Sequence, residues 1–540
     1  MEGATAKHAI ARVGDRGIAV GVACVAAIAL VAWPVRSIHP RGGADWNWVA
    51  ALSYIAKHGL NFGEQVVWSY GPLGFLNTYY GPVLYYGDVL LLSWLFAALL
   101  QVLLAGTLLF ALRRSLPLAG AAIAAVVVLA PTHNRVPALA LAWCVLALTR
   151  EREYSAPREL PAAAFPFALG ALTGLAVLGK LNQGVELVVL AGVVLAARRH
   201  RGDALAFAGA LLASAAAGWL ATGQRLADVW PYLRNSAEVV AGYPAAMGIA
   251  TPAYGWTYAA ALGLIALALT LGWDAGRGAL PRIRWGLLAL CVVYAGFTFK
   301  EAFVRQDAIH VEEFFADLLV LFAVLPLRPS RLPLQLGGVA AGLVALVAIS
   351  GVQDVGRTLN PYANAKAAGD QVRTLASSAR RAAIVADVRA GVAEGYAVSP
   401  QLIEAIGRRS VMFWPYLYGE IAYAYDLDFQ PLPTLETYAT YTPTLDRLGA
   451  RMLASAHAPQ RIVRADAPAV DGRFPSFEAP LATLEILCHY RQIATYDLWQ
   501  LLARVRDRCG ATRTIRTATA GWGESIAVPK PARRGALVLV

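Results

Sequence analysis

Lys300, Glu301, Arg305, Asp307, His310, Glu312 and Glu313 fall within fourteen positions, between one apolar run that ends at Phe299 and another that begins at Phe314. Charge beside an apolar segment is costly unless it faces water or a polar cavity. Asp307 and His310 stand one helical turn apart, and Glu301 and Arg305 stand at i, i+4. Local pairing of that kind contributes only about 0.2–0.5 kcal/mol per pair. It leaves Glu312 and Glu313, at the start of an apolar helix, unexplained. The second reading makes the stretch one wall of a polar cavity, with Arg305 on a phosphate and Asp307 or His310 on a substrate. A divalent metal on Asp307, His310 and Glu313 is open to these residue types, but the chemistry below needs no cofactor.

Similar residues recur at other segment ends. Lys180 and Asn182 lie in GKLNQGVE, and Arg135 lies in PTHNRVP. Lys180, Lys300 and Arg305 each follow an apolar run. Each alone can snorkel, its head in water and its stem on lipid. Together with Arg135 they form a candidate phosphate-binding ring, with Arg offering a fork to phosphate oxygens and Lys a point charge. Asp45 opens GGADWNWVAALSYIAKHGL, where Trp48, Leu52 and Ile55 follow at helical spacing. This pattern predicts a helix lying on the bilayer, with Trp46 and Tyr54 as interfacial anchors. Asp45 is either the helix N-cap or a general base for an acceptor hydroxyl. Trp46, Trp68, Tyr70 and Tyr79 are either interfacial aromatics or surfaces for stacking a sugar.

The elements that must position these residues are membrane helices. Of 540 residues, 58% are hydrophobic and 15% charged, and the mean hydropathy is +0.51. Soluble domains carry about 25% charged residues. Spans are predicted near 18–36, 88–112, 116–131, 136–149, 163–179, 185–197, 203–222, 255–274, 285–299, 312–327 and 333–351, about eleven in all. The first follows Lys7, Arg12 and Arg16, and reads as a retained signal anchor. A cytoplasmic N-terminus places sixteen basic residues in the inner segments and nine in the longer outer ones, as the positive-inside rule requires. The net charge of +12 thus reports orientation, and no nucleic-acid partner is expected. Every polar stretch above then lies on the outer side. A transporter would instead gather polar groups near mid-depth.

After residue 352 the apolar runs shorten. Strand-like pieces (Ser410–Trp414, Gln460–Val463, Arg491–Tyr496, Leu498–Val505, Ile526–Pro529) alternate with helix-like ones (Pro400–Ile406, Leu445–Ser455, Leu481–Tyr490). Residues 1–352 therefore read as a polytopic helical membrane module, and 353–540 as an extracytoplasmic α/β domain. Cys488 and Cys509 are the only cysteines of that outer domain, and a disulfide between them is expected in an oxidising compartment. No Cys/His metal spacing occurs.

A multispan bundle with an acidic residue in its first outer loop, juxtamembrane helices and a C-terminal outer domain resembles the GT-C superfamily of membrane glycosyltransferases. Asp45 stands at the matching place. The resemblance implies transfer of a sugar from a polyprenyl-phosphate donor to a glycan, lipid or protein acceptor of the cell envelope. Asp45 would act as base, and Lys180, Lys300 and Arg305, with Arg135, would bind the lipid phosphate. Trp46, Tyr70, Asn182, Asp307 and His310 would contact substrate. The richness in Ala, Gly and Arg adds a bacterial cytoplasmic membrane as the expected location. The competing class is a non-enzymatic scaffold or polysaccharide-export component whose outer domain binds an envelope polymer.

Overall fold

A computed structural model describes residues 2–34, 38–76, 81–153, 164–249, 251, 253–326, 329–467, 469–473, 475–510, 513–521, 523–531, 536 and 538. Tyr79 lies outside the described residues. The membrane module contains α1 (Glu2–Val31), α2 (Ala44–His58), α3 (Gly87–Leu112), α4 (Leu118–Leu129), α5 (Arg135–Glu153), α6 (Ala164–Gly179), α7 (Leu181–Arg198), α8 (Arg201–Ala221), α9 (Val229–Met247), α10 (Thr257–Ala275), α11 (Pro281–Val304), α12 (Ala308–Val324) and α13 (Leu332–Ser350). Each expected span coincides with a helix. Among the described residues, six helical segments are long and apolar enough to cross a membrane: α3, α7, α8, α10, α11 and Pro329–Ser350. The shorter apolar helices include Leu118–Leu129. At about 1.5 Å per residue, that one falls well short of a hydrocarbon core of about 30 Å. Eleven full crossings therefore exceed what helix length supports.

Burial sorts the helices. In α12 every residue from Phe314 to Val324 is buried, which places this helix in the middle of the bundle. α3 instead exposes Leu92, Leu95, Leu99 and Val102 along one side, the stripe expected of a lipid-facing helix. α6 and α8 touch through Gly170 and Gly174, where any side chain would collide with the Phe207 and Leu211 carbonyls. Such small residues let membrane helices approach closely. At the end opposite the candidate site, Arg198 pairs with Asp203 at 3.1 Å, and Arg277 and Arg331 pair with Asp274 at 2.7 and 3.0 Å.

Three helices, α14 (Val352–Thr358), α15 (Pro361–Ala376) and α16 (Ser378–Gly395), lead away from α13. α15 packs back on the bundle: Asn364 donates to the Val31 carbonyl at 2.7 Å, and Gln371 accepts the indole N–H of Trp33 and of Trp94, each at 3.1 Å. The mixed unit follows as α17 (Pro400–Ile406), β1 (Val411–Trp414), α18 (Gly419–Ala424), α19 (Pro443–Ala454), β2 (Arg461–Ala465), α20 (Pro475–Glu478), α21 (Pro480–His489), β3 (Tyr490–Tyr496) and β4 (Trp499–Arg504). The sheet order is β1-β2-β4-β3. β1 and β2 run parallel, and β4 is antiparallel to β2 and β3. Ile526–Pro529 is not a strand, and Ile526 and Val528 are exposed. Cys488 and Cys509 form a disulfide, with Cα atoms 5.2 Å apart across 21 positions. Closing a loop of that size contributes about 3 kcal/mol.

One expectation is corrected outright. The apolar side of α2 does not lie on lipid. Trp48 to Leu52, Tyr54 and Ile55 are all buried, in a cluster shared with Phe413, Leu417 and Ile421 of the C-terminal unit. Gly419 allows this approach, because a Cβ there would stand 2.6 Å from the Asn47 carbonyl oxygen. Hydrophobic spacing shows that a helix face must be covered but not what covers it.

Candidate functional site

The first loop turns into α2 through Gly43, at φ 136 and ψ 167, a backbone setting suited to glycine. Gly43 is the N-cap, so Asp45 is not; it lies exposed in the first turn. There its negative charge favours the helix dipole, and Oδ1 accepts the Trp48 indole N–H at 3.2 Å. The Trp48 ring stacks on Tyr70 at 5.1 Å.

Tyr70 is fixed by the backbone. It bridges to Lys180, the single residue between α6 and α7, while Leu181 N–H donates to Ser69 and Leu73 N–H to Leu178. A one-residue link forces the two helices together, and Gly184 permits this, since a Cβ there would sit 2.6 Å from Val177 Cα. Lys180 Nζ lies 5.5 Å from the Tyr70 ring centre, a cation–π arrangement. Its ammonium has no ion pair or hydrogen bond among the described residues; Glu301, Glu313 and Tyr243 are its nearby charged or ionisable neighbours. Burial holds the Tyr70 hydroxyl above its ordinary pKa. Lys180 opposes that shift and Asp45 adds to it, so both charges act on one ring.

The remaining expected residues go elsewhere. Asn182 donates to Glu301, so Glu301 does not pair with Arg305. Both ends of the Arg305 fork hold Asp471, at 2.6 and 3.1 Å, and its Nε holds Asp307 at 2.8 Å. Asp307 is the N-cap of α12 and takes the backbone N–H and ring Nδ1 of His310, at 3.0 and 2.8 Å. Burial alone would raise Asp307, but these bonds with the charges of His310 and Arg305 bring it down to about 2. This cluster clamps the C-terminal unit to the bundle. Lys300 is exposed, with no polar partner among the described residues. Arg135 opens α5 beside Asn134, whose side chain and backbone bind buried Asp317. Trp46 gives its carbonyl to the Tyr85 hydroxyl at 3.2 Å. Direct contacts therefore link Asp45, Trp48, Tyr70 and Lys180, while Arg305, Asp307 and His310 form a hydrogen-bonded cluster of their own; Tyr243 lies within electrostatic reach of Lys180, Arg305 and Asp307, so the two groups are neighbours. Asp307, His310 and Glu313 do not converge as a three-ligand metal set. The one such grouping among the described residues is Cys488, Asp507 and Cys509, and its two sulfurs are already bonded together.

Beside the N-terminus of α2 lies a cavity of about 640 Å³, lined by Gly43 and Asn47, by α16, and by Tyr396, Tyr416, Glu420, Glu436 and Tyr438. Asn47 ties its walls together: Oδ1 accepts the Glu420 backbone N–H at 3.2 Å, and Nδ2 donates to the Tyr396 hydroxyl at 2.8 Å. Glu420 accepts the hydroxyls of Tyr85 and Tyr396, at 3.2 and 3.0 Å. Burial lifts its carboxyl to about 7 despite those bonds. Glu436 accepts the Leu417 N–H at 3.1 Å. Burial lifts it to about 8, against that bond, with Glu478 and Asp45 adding. Asp45 thus stands within electrostatic reach of both the cavity and Tyr70. Glu420 and Glu436 escaped notice in the sequence. The one signal was a lone Glu in each of two aromatic stretches, YLYGE and TLETY.

The chain matches no family model, and neither curated proteins nor solved structures yield a match.

Proposed function

We propose that this chain is a membrane glycosyltransferase that uses a polyprenyl-phosphate-linked sugar at the outer face of a bacterial cytoplasmic membrane. The observation that carries this reading is the row Asp45–Trp48–Tyr70–Lys180, near the cavity at the α2 N-terminus. It sets the Asp45 carboxylate against Trp48 and the Lys180 ammonium against Tyr70, with the two rings stacked between them. Asp45 takes the proton of an acceptor hydroxyl as that oxygen attacks the anomeric carbon. The carbon–oxygen bond to phosphate breaks, and the polyprenyl phosphate leaves with the electron pair. Lys180 stabilises the charge that builds on it. Trp48 and Tyr70 offer an aromatic surface to the sugar. Arg305 is committed to Asp471, so the phosphate role falls to Lys180. The acceptor is a glycan, lipid or protein of the envelope, entering through the cavity.

The test is transfer in proteoliposomes, with labelled polyprenyl-phosphate sugars and envelope extract as acceptor. Wild-type protein should form labelled product, and Lys180→Ala should lose about 100-fold or more, the scale of one lost oxyanion-stabilising group. If the wild type fails with every donor tried, or Lys180→Ala is fully active, the reading falls.

Orientation has its own test. Leu498, 73% exposed in the β3–β4 turn, is a suitable probe position. A Leu498→Cys protein should react with a membrane-impermeant thiol reagent in intact spheroplasts. Labelling only after lysis would place the cavity on the cytoplasmic side.

A further inference from the structure

We propose that the cavity at the α2 N-terminus is a binding site for an organic ammonium, a primary amine carried on a sugar or on a small head group. The charges of its wall point one way. Among the described residues Asp387, Glu420 and Glu436 line it, no Lys or Arg does, and His39 is the one basic side chain there. Its aromatic lining is Tyr396, Tyr416 and Tyr438, with the last two rings 5.9 Å apart and edge-on. Carboxylates set among tyrosine faces make the environment that ammonium groups prefer.

Glu436 makes this more than an acidic patch. Its side chain is 1% exposed. Oε2 is taken by the Leu417 N–H, and Oε1 has no hydrogen-bond partner among the described residues. Glu436 lines the cavity, so this acceptor is open to a donor bound there. Glu420 cannot serve, because both its oxygens already hold tyrosine hydroxyls. Burial favours a protonated Glu436; an ammonium at Oε1 favours the ionised form and a charge-assisted hydrogen bond, which a neutral sugar cannot provide. This assignment rests on the cavity alone and stands or falls separately from sugar transfer.

The test is calorimetric titration of the full chain in nanodiscs, with no donor lipid present. Glucosamine and ethanolamine are the probes, against glucose and N-acetylglucosamine. At least one amine should bind at least about ten-fold tighter than both neutral sugars, the scale of a charge-assisted hydrogen bond. A preference for glucosamine would assign an amino sugar, and a preference for ethanolamine a head-group amine. Glu436→Gln, which can still accept the Leu417 N–H, should lose about ten-fold or more of that affinity. Asp387→Asn, at an exposed wall position where folding is not at stake, should lose a smaller factor. Equal binding of amine and neutral sugar, no amine binding at concentrations up to about 50 mM, near the weak end of specific recognition, or unchanged affinity in both variants would overturn the proposal.

Discussion

Asp45→Asn is expected to fold, insert and bind like the wild type, yet to transfer sugar about 100-fold or more slowly, the usual scale for loss of a general base. The substitution keeps size and shape. Its side-chain oxygen can still accept the Trp48 indole N–H that Asp45 Oδ1 accepts at 3.2 Å. Gly43, not residue 45, caps the helix, so the change leaves the cap untouched. What disappears is the ability to take up a proton, together with the negative charge that favours the helix dipole. The loss should appear in kcat, with KM nearly unchanged, since the acceptor wall formed by Asn47, Glu420 and Tyr396 is unaffected. Full activity in purified Asp45→Asn protein would reduce the carboxylate to a partner of the helix dipole. Another base would then be needed, and Glu436 would be the next to test.

Stability should fall as pH rises through neutrality. Glu420 and Glu436 ionise near 4.5 when solvated, but at about 7 and about 8 in the folded protein, because burial penalises their charged forms. Folded carboxyls that hold their protons more tightly give stability that is complete below the unfolded value and is lost as pH climbs through the folded one. The window therefore runs from about 4.5 to 8. A shift of one unit corresponds to about 1.4 kcal/mol, so the two groups together cost several kcal/mol at alkaline pH. The melting temperature in detergent should be highest near pH 5 and decline toward pH 9. In a Glu420→Gln/Glu436→Gln protein the slope should flatten. An equal slope in that variant would assign the pH dependence to other groups. Asp307 acts in the opposite sense, but its stabilisation is lost only in strong acid, as pH falls toward about 2.

What the sequence revealed followed from the cost of charge near lipid. Lys180 stood out because it sits beside an apolar run, and Asp45 because it opens an amphipathic segment of the first outer loop; the structure brings both to the Trp48–Tyr70 pair. The same cue misled at Arg305. Its fork looked available for phosphate because Asp471, its partner, lies 166 positions later, and nothing local signals that pairing. Asp307 and His310 followed the plainer alternative, a cap and its histidine. Glu420 and Glu436 were illegible for a different reason. Outside the membrane a glutamate is ordinary, and only tertiary packing makes these two buried. Helix length limited the rest: Leu118–Leu129 is apolar enough to be read as a span, but it has just 12 residues.

The burial of α2 bears on how the protein is made. Asn47 and Glu420, which hold this helix against its cover, are 373 positions apart. At roughly 5–20 residues per second of synthesis, the helix waits tens of seconds for the surface that shelters it. During that interval Trp48 can already stack on Tyr70, but the surface that Phe413, Leu417 and Ile421 will cover lacks its partner, and a membrane surface or a chaperone must shield it. Biogenesis is thus tied to the last third of the polypeptide. Premature termination beyond α13 would yield a bundle that inserts yet carries an unsheltered greasy helix, a natural target for quality-control proteolysis.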